Sequence, residues 1–274
     1  MLLSPPLALI RHGSAPRMAA VSVLAVVLCA SVTSMAGEPT DARSSSTSWG
    51  LGLGVMSRQE PYTGIGRDNT PVPLLQFENQ YIHLFGPQIE FKLPSLDISN
   101  SQQFNFGIVG KYDGRGYEED DAPILNGMSK RKGGFWAGGK LEWSSDLVDV
   151  SAEWLADASG NSNGQVVNLG LERTWRFGNH VLLTPHVGAS WQDEKTVDYY
   201  FGVRDSEARM DRPAYTGESA TNIEAGVRGV YMFNKHHSVL MGVEVTSLAD
   251  EIKDSPLVDR STANSVFLGY IYRF

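Results

Sequence analysis

The sequence predicts an all-β chain: a transmembrane antiparallel up-and-down β-barrel of about twelve strands, with about ten as the alternative. Three observations predict it. Alternating runs of about 9–11 residues, long enough to cross a bilayer at a tilt, repeat down the chain. The connections between them alternate between short and long. The closing run, Ser265–Phe274, puts Val266, Leu268, Tyr270, Tyr272 and Phe274 on one face and Phe267, Gly269, Ile271 and Arg273 on the other. A strand with lipid on one side and a wet lumen on the other has this pattern.

Bulk composition is compatible with this reading but does not demand it. The chain has 274 residues, 42% hydrophobic and 20% charged, with a mean hydropathy of -0.20. Transmembrane barrels alternate apolar and polar residues, so their average looks like that of a soluble protein. The 28 glycines and 10% aromatic content suit strands and turns.

The N-terminus reads as a secretory signal. Met18–Ala30 is an apolar run of thirteen residues, short of the roughly 20 that a spanning helix needs. Arg11 and Arg17 precede it, and Ser34-Met35-Ala36 offers small residues for cleavage after Ala36. Either Met1 or Met18 can serve as the start. Cys29, the single cysteine, lies inside this segment with Leu28 before it, which does not suit a lipoprotein site. The mature chain therefore has no disulfide and no cysteine chemistry. The formal net charge is -8, and residues 1–36 hold two of the basic residues and no acid. An acidic mature chain argues against nucleic acid as a partner.

The expected organisation is a signal peptide at 1–36, a disordered leader at 37–48 and one barrel domain at 49–274. The leader is small and polar, and every aromatic residue lies at or after Trp49. Within the barrel, Trp49–Met56 sets Trp49, Leu51, Leu53 and Val55 against three glycines. Leu74–Phe85 sets Leu75, Phe77, Tyr81 and Phe85 against Gln76, Glu78 and Gln80, and a shorter run follows Gly86-Pro87. Phe104–Tyr112, Phe135–Trp143 and Leu147–Leu155 come next. Val166–Phe177 and Val181–Trp191 flank the tight Gly178-Asn179-His180 connection. A short Val197–Val203 run leads into a polar loop. Thr221–Tyr231, Val239–Val245 and the terminal strand complete the set. Charges at inward positions (Glu172, Arg176, Glu224, Arg228) suit a wet lumen. Trp49, Phe85, Trp143, Trp175, Phe177, Trp191 and Tyr231 fall near strand ends, as interfacial girdles do. Short turns such as Asn234–His237 and long loops such as Gly116–Lys132 and Arg204–Gly217 belong on opposite rims.

Several stretches look like chemistry and read better as architecture. Gly160-Asn161-Ser162-Asn163-Gly164 fits G-x-S-x-G, but a nucleophile elbow needs a helix after it, and here a strand follows at Val166. It reads as a hairpin loop. Gly134–Lys140 resembles a phosphate loop, but Leu141 replaces the required Ser or Thr, and Phe135 and Trp136 are too bulky to wrap a phosphate. Glu118-Glu119-Asp120-Asp121 lacks the glycine and ligand spacing of a calcium loop. His236 and His237 are adjacent, a poor chelating pair on a strand. His83, His180, His186 and Ser190 have no local spacing that marks a catalytic relay. No catalytic, cofactor-binding or metal-ligating residue is assigned, and the chain is expected not to be an enzyme.

Some segments are specific enough to suggest a family. Asp198-Tyr199-Tyr200-Phe201-Gly202-Val203, then Glu207-Ala208 and Tyr215, resemble the MipA/OmpV family of outer-membrane proteins. Asp254-Ser255-Pro256-Leu257-Val258 and the closing Tyr272-Arg273-Phe274 do too. The opening Trp49–Val55, and Pro71-Val72-Pro73 before Tyr81, also fit. Gly116–Lys132 matches nothing. The resemblance covers Trp49–Phe274. It implies an outer-membrane barrel of a Gram-negative cell with no catalytic residues to carry over. It also implies a scaffold role between a murein transglycosylase and a murein synthase, with outer-membrane lipid around the wall. Phe274 would be the signal read by the barrel assembly machinery. A small-solute pore and an adhesin are the alternative functions, followed by a lipid-modifying barrel enzyme.

Overall fold

The computed structural model describes residues 47–274. The expected signal peptide with Cys29, both candidate starts Met1 and Met18, and the leader up to residue 46 lie outside the described residues.

The described residues form one antiparallel sheet closed on itself. Its strands are β1 (Ser48–Gln59), β2 (Arg67–Glu78), β3 (Ile82–Phe85), β4 (Gln88–Lys92), β5 (Leu96–Ser99), β6 (Gln102–Asp113) and β7 (Gly134–Ser145). They continue with β8 (Asp149–Asp157), β9 (Gln165–Glu172), β10 (Trp175–Phe177), β11 (Val181–Gln192), β12 (Ala220–Met232), β13 (His237–Ser247) and β14 (Thr262–Arg273). β4 and β5 both pair with β6, and β9 and β10 both pair with β11, so each couple is one interrupted stave and the wall has twelve. β1 pairs with β14 from Gly50↔Arg273 to Gln59↔Asn264, which joins the ends of the sheet and leaves no seam unpaired there.

Alternation decides the faces. Leu53, Val55, Leu268 and Tyr270 point outward, while Met56, Phe267 and Ile271 are buried inside. The rim that carries β1's start and β14's end has the tight turns. The other rim has the long loops, 114–133, 193–219 and 248–261. That asymmetry puts the termini on the periplasmic side.

Four sequence expectations need correction. Leu74–Phe85 is not one strand. The chain turns at Asn79, whose Oδ1 accepts from the Tyr81 and Ile82 N–H groups at 2.8 and 2.7 Å. The turn places Phe85 opposite Gln76, on the inner face and out of the aromatic girdle. β2 also begins earlier, at Arg67, and runs through Pro71 and Pro73. β3 pairs only with Gln76–Glu78, so the upper edge of β2 has no strand neighbour on that side. The Gly86 N–H reaches the Leu75 carbonyl, so odd-numbered residues aim their backbone groups at that edge. Both prolines fall at such positions, where a missing N–H costs no ladder bond. Val166–Phe177 is interrupted at Arg173-Thr174. Val197–Val203 lies mostly in a helix, α1 (Glu194–Phe201), capped by Asp193 Oδ1, which accepts from the Thr196 N–H at 2.9 Å. Val197, Tyr200 and Phe201 share its buried face, a helical spacing.

The wall is tight at Gly138 on β7. A Cβ there would overlap the Trp154 carbonyl oxygen of β8, whereas at the adjacent Gly139 it would meet only Gly107 O at 3.9 Å. Gly138→Val is expected to lose most of the folded, heat-modifiable form on gels, and Gly139→Val to retain it.

Candidate functional site

The site that the fold builds is the lumen with its two mouths. The outer mouth is closed by a lid of four loops. Tyr62 comes from the β1–β2 loop, Leu125 from the β6–β7 loop, Val197 and Phe201 from α1, and Leu257 from the β13–β14 loop, and all are buried in one cluster. The β13–β14 loop carries a single helical turn, α2 (Asp250–Lys253), whose Ile252 is fully buried there. Tyr62 packs against the Tyr117 ring at 5.2 Å and the Phe201 ring at 5.5 Å. Apolar burial of this kind stabilises by about 25 cal/mol per Å² removed from water.

Polar bonds lock the lid. Arg131 and Glu207 form a two-point ion pair at 3.0 and 3.3 Å, with side chains 2% and 4% exposed. Glu207 also accepts from the Ser129 N–H at 2.9 Å. Burial would raise the Glu207 pKa, but the Ser129 N–H and the Arg131 guanidinium outweigh it and hold the carboxyl at about 2. Arg212 is 1% exposed and donates to Glu207 O at 2.6 Å and Asn126 O at 3.1 Å. Ser255 Oγ donates to Phe201 O, and Tyr215 OH to Glu251 O, both at 2.6 Å. Burial pushes the Tyr117 phenol up to about 12 and also raises Tyr62 and Tyr200.

Below the lid, the lumen is divided. Near the periplasmic ends of β11–β13, and along β14, β1 and β2, it is dry. Val72, Leu74, Leu182, Leu240, Phe267 and Ile271 are among the residues of an apolar cluster inside the wall. This corrects the expectation of a uniformly wet lumen. The rest of the lining, on β6–β9 and on β11–β13 above that cluster, is charged. Lys111 pairs with Glu153 at 3.0 Å, Lys140 with Glu142 at 2.8 Å, and Arg228 with Glu172. His186 Nε2 lies 3.5 Å from Glu244 Oε2, with Glu224 on the next strand. All of these residues but Glu142 line a cavity of about 260 Å³ roofed by Phe201 and Leu248 of the lid. A second space of about 840 Å³, lined by Gln103, Ser144, Asp149 and Arg173, forms the periplasmic mouth and meets the first at Glu172.

The residues weighed as chemistry disperse over this frame. Ser162 lies in the β8–β9 hairpin loop, where its Oγ and N–H both donate to Asp157 Oδ2 at 3.0 and 2.6 Å. Ser190 Oγ donates to Asn168 Oδ1 at 2.8 Å. His180 and His236 bond to the carbonyls of Met232 and Arg273, His237 to Tyr270 OH, and His83 to Glu78. Gly134–Lys140 is part of β7. Glu118 pairs with Lys130 on the exposed side of its loop. Among the described residues, no group of three or more His, Cys, Asp or Glu side chains could hold a metal ion. Glu172, Glu224 and Arg228 are in the lumen as read, and Arg176 is at the periplasmic mouth. Sequence reasoning missed the lid. Loop 114–133, which shows no period, supplies Tyr117, Leu125, Met128 and Arg131 to it.

The segments that carry the family resemblance meet in this lid: Tyr200, Phe201, Val203, Glu207, Tyr215, Ser255 and Leu257. Comparison with known proteins agrees with that resemblance. The family described as "MltA-interacting protein MipA" matches residues 51–274. The MltA-interacting protein of Escherichia coli K12 is 26% identical over 228 residues, covering 82% of this chain and 89% of that one. The outer membrane protein OmpV of Vibrio cholerae is 28% identical over 165 residues, covering 60% of this chain and 63% of that one. Among solved structures, the NanC porin aligns with 81% of this chain and 98% of its own, at 10% identity and a TM-score of 0.44. With the family matched from the first strand to the last, this chain is an outer-membrane β-barrel and belongs to the MipA family.

Proposed function

We propose that the barrel is a non-enzymatic interaction protein that holds murein-remodelling enzymes at its periplasmic rim. The observation that carries this reading is the lid. A barrel whose outer mouth is closed by a buried core and a buried ion pair is built to stay shut, which favours binding over free diffusion through the wall. The name of the Escherichia coli relative, MltA-interacting protein, supports a murein enzyme as the partner. The rim offers apolar contact points: Tyr81 in the β2–β3 turn is 64% exposed and Leu147 in the β7–β8 turn 70%. Tyrosine is enriched among the few residues that dominate interface energetics, and Leu147 adds apolar area on the same rim.

Affinity capture from solubilised envelopes tests it. The intact barrel is expected to retain a murein transglycosylase or synthase, and the Tyr81→Ser, Leu147→Asp variant to lose about tenfold or more of that yield. Capture that returns no murein enzyme would sink the scaffold reading. A second reading, a gated solute channel, is favoured by the charged half of the lumen and its open periplasmic mouth.

A further inference from the structure

The charged half of the lumen holds more than ion pairs. Lys111, Lys140 and Arg228 are bonded to Glu153, Glu142 and Glu172. Glu224 of β12 and Glu244 of β13 stand on adjacent strands, with His186 of β11 beside them and its Nε2 3.5 Å from Glu244 Oε2. Glu244, His186, Lys111 and Arg228 all lie within electrostatic reach of Glu224. Two glycines make room for this group. A Cβ at Gly188 would meet the Glu224 carboxylate at 2.7 Å, and one at Gly226 would meet the His186 ring at 2.7 Å. Two carboxylates side by side repel, so a cation between them gains more than a cation at either alone.

A second observation is independent of that charge. Trp136 is 3% exposed and Gln192 5%, and both line the same cavity. Trp136 Nε1 and Gln192 Oε1 are buried without a hydrogen-bond partner among the described residues. Buried polar atoms are almost always bonded, and each orphan costs about 1–3 kcal/mol. Trp136 offers only a donor, so it wants an acceptor oxygen. Gln192 Oε1 is an acceptor and wants an O–H or N–H. A hydroxyl answers either. The cavity of about 260 Å³ is below the size of a drug-binding pocket, which limits the occupant to a small molecule.

We propose that this cavity is a binding site for a small hydroxylated primary ammonium compound, of the size and class of an amino sugar. Glu224 and Glu244 hold the ammonium group, and Trp136 and Gln192 bond hydroxyls. Entry is from the periplasm, through the mouth that meets the cavity at Glu172. The lid closes the other end, so the site is a dead-end pocket. The proposal does not rest on the scaffold reading, because it uses no rim residue and no protein partner.

The test is titration calorimetry on the intact barrel in detergent, with glucosamine, N-acetylglucosamine and glucose as probes. These share a ring and differ in charge at one position. Glucosamine is expected to bind at least about tenfold tighter than the other two. The Glu224→Gln, Glu244→Gln variant is expected to lose that preference, and Trp136→Phe to weaken glucosamine binding, each while keeping heat-modifiable migration. If a variant fails to fold, the comparison of amine with acetamide on the unaltered protein still decides. No heat with glucosamine, equal binding of N-acetylglucosamine, or an unchanged preference in a folded double variant would each overturn the proposal. Failure of the intact barrel to capture a murein enzyme, with glucosamine binding intact, would count against the scaffold reading alone.

Discussion

Arg131→Ala is expected to spring the lid while leaving the wall folded. The substitution removes the guanidinium from a carboxylate that is 4% exposed and also breaks the 2.7 Å bond from Arg131 Nε to Tyr199 O. Removing one partner of a buried ion pair costs about 3–5 kcal/mol, because the other charge stays buried. That cost falls on loops 114–133 and 193–219, not on the ladder between strands. In planar bilayers the unaltered barrel is expected to be silent and the variant to pass ions through the charged half of the lumen. Trypsin is expected to cut at Lys130 or Lys132 in the variant first. A variant as silent and as resistant as the parent would refute the lid's role as a closure.

Acid is expected to do the same reversibly. The Glu207 carboxyl is lowered from 4.5 to about 2 in the folded lid. Its contribution is therefore complete above about pH 4.5 and is lost as pH falls toward about 2. Conductance and loop proteolysis are expected to rise in that window. Glu207→Gln should flatten the dependence, since glutamine does not titrate there.

Deletion of Phe274 is expected to lower the amount of folded barrel in the outer membrane severalfold. Its N–H donates to Trp49 O at 2.9 Å, and its ring stacks on Trp49 with centroids 3.7 Å apart and planes within 9°. A stacked aromatic pair contributes about 0.5–1.5 kcal/mol beyond its buried area. The pair sits at the end of the β1–β14 closure, where the sheet has no other way to hide its edges. Phe274→Ala keeps the backbone bond and removes the ring, so it is expected to fall between the deletion and the parent. Heat-modifiable migration of membrane fractions reads all three. Normal levels of the deletion would show that the seam closes without this residue.

Much of this fold was legible because lipid imposes a simple rule on the outer face. Trp49, Leu51, Leu53 and Val55, or Val266, Leu268 and Tyr270, can be placed from alternation alone. Misreadings occurred where something other than lipid set the pattern. Pro71 and Pro73 hid the first half of β2, because a proline normally marks a strand's end, and only the short β3 explains why both are allowed here. Val197, Tyr199, Phe201 and Val203 alternate by chance over a helix. The Asp193 cap and the 197–200–201 spacing were the available signals. The dry half of the lumen was signalled by Phe267 and Ile271 at inward positions of the last strand. The lid could not be read from loop 114–133. Tyr117, Leu125 and Arg131 are held by residues far away in the chain, and no local period records such contacts.

Tyr62 belongs to the first hairpin of the barrel and Leu257 to the last, yet the Thr63 N–H donates to the Leu257 carbonyl at 2.8 Å and Tyr62 bridges Val258. The cap is therefore a keystone. It can be set only when the two ends of the wall have met, since its stones come from both. A half-built barrel has an open throat, and the finished one shuts itself, so the closed state certifies that assembly is complete.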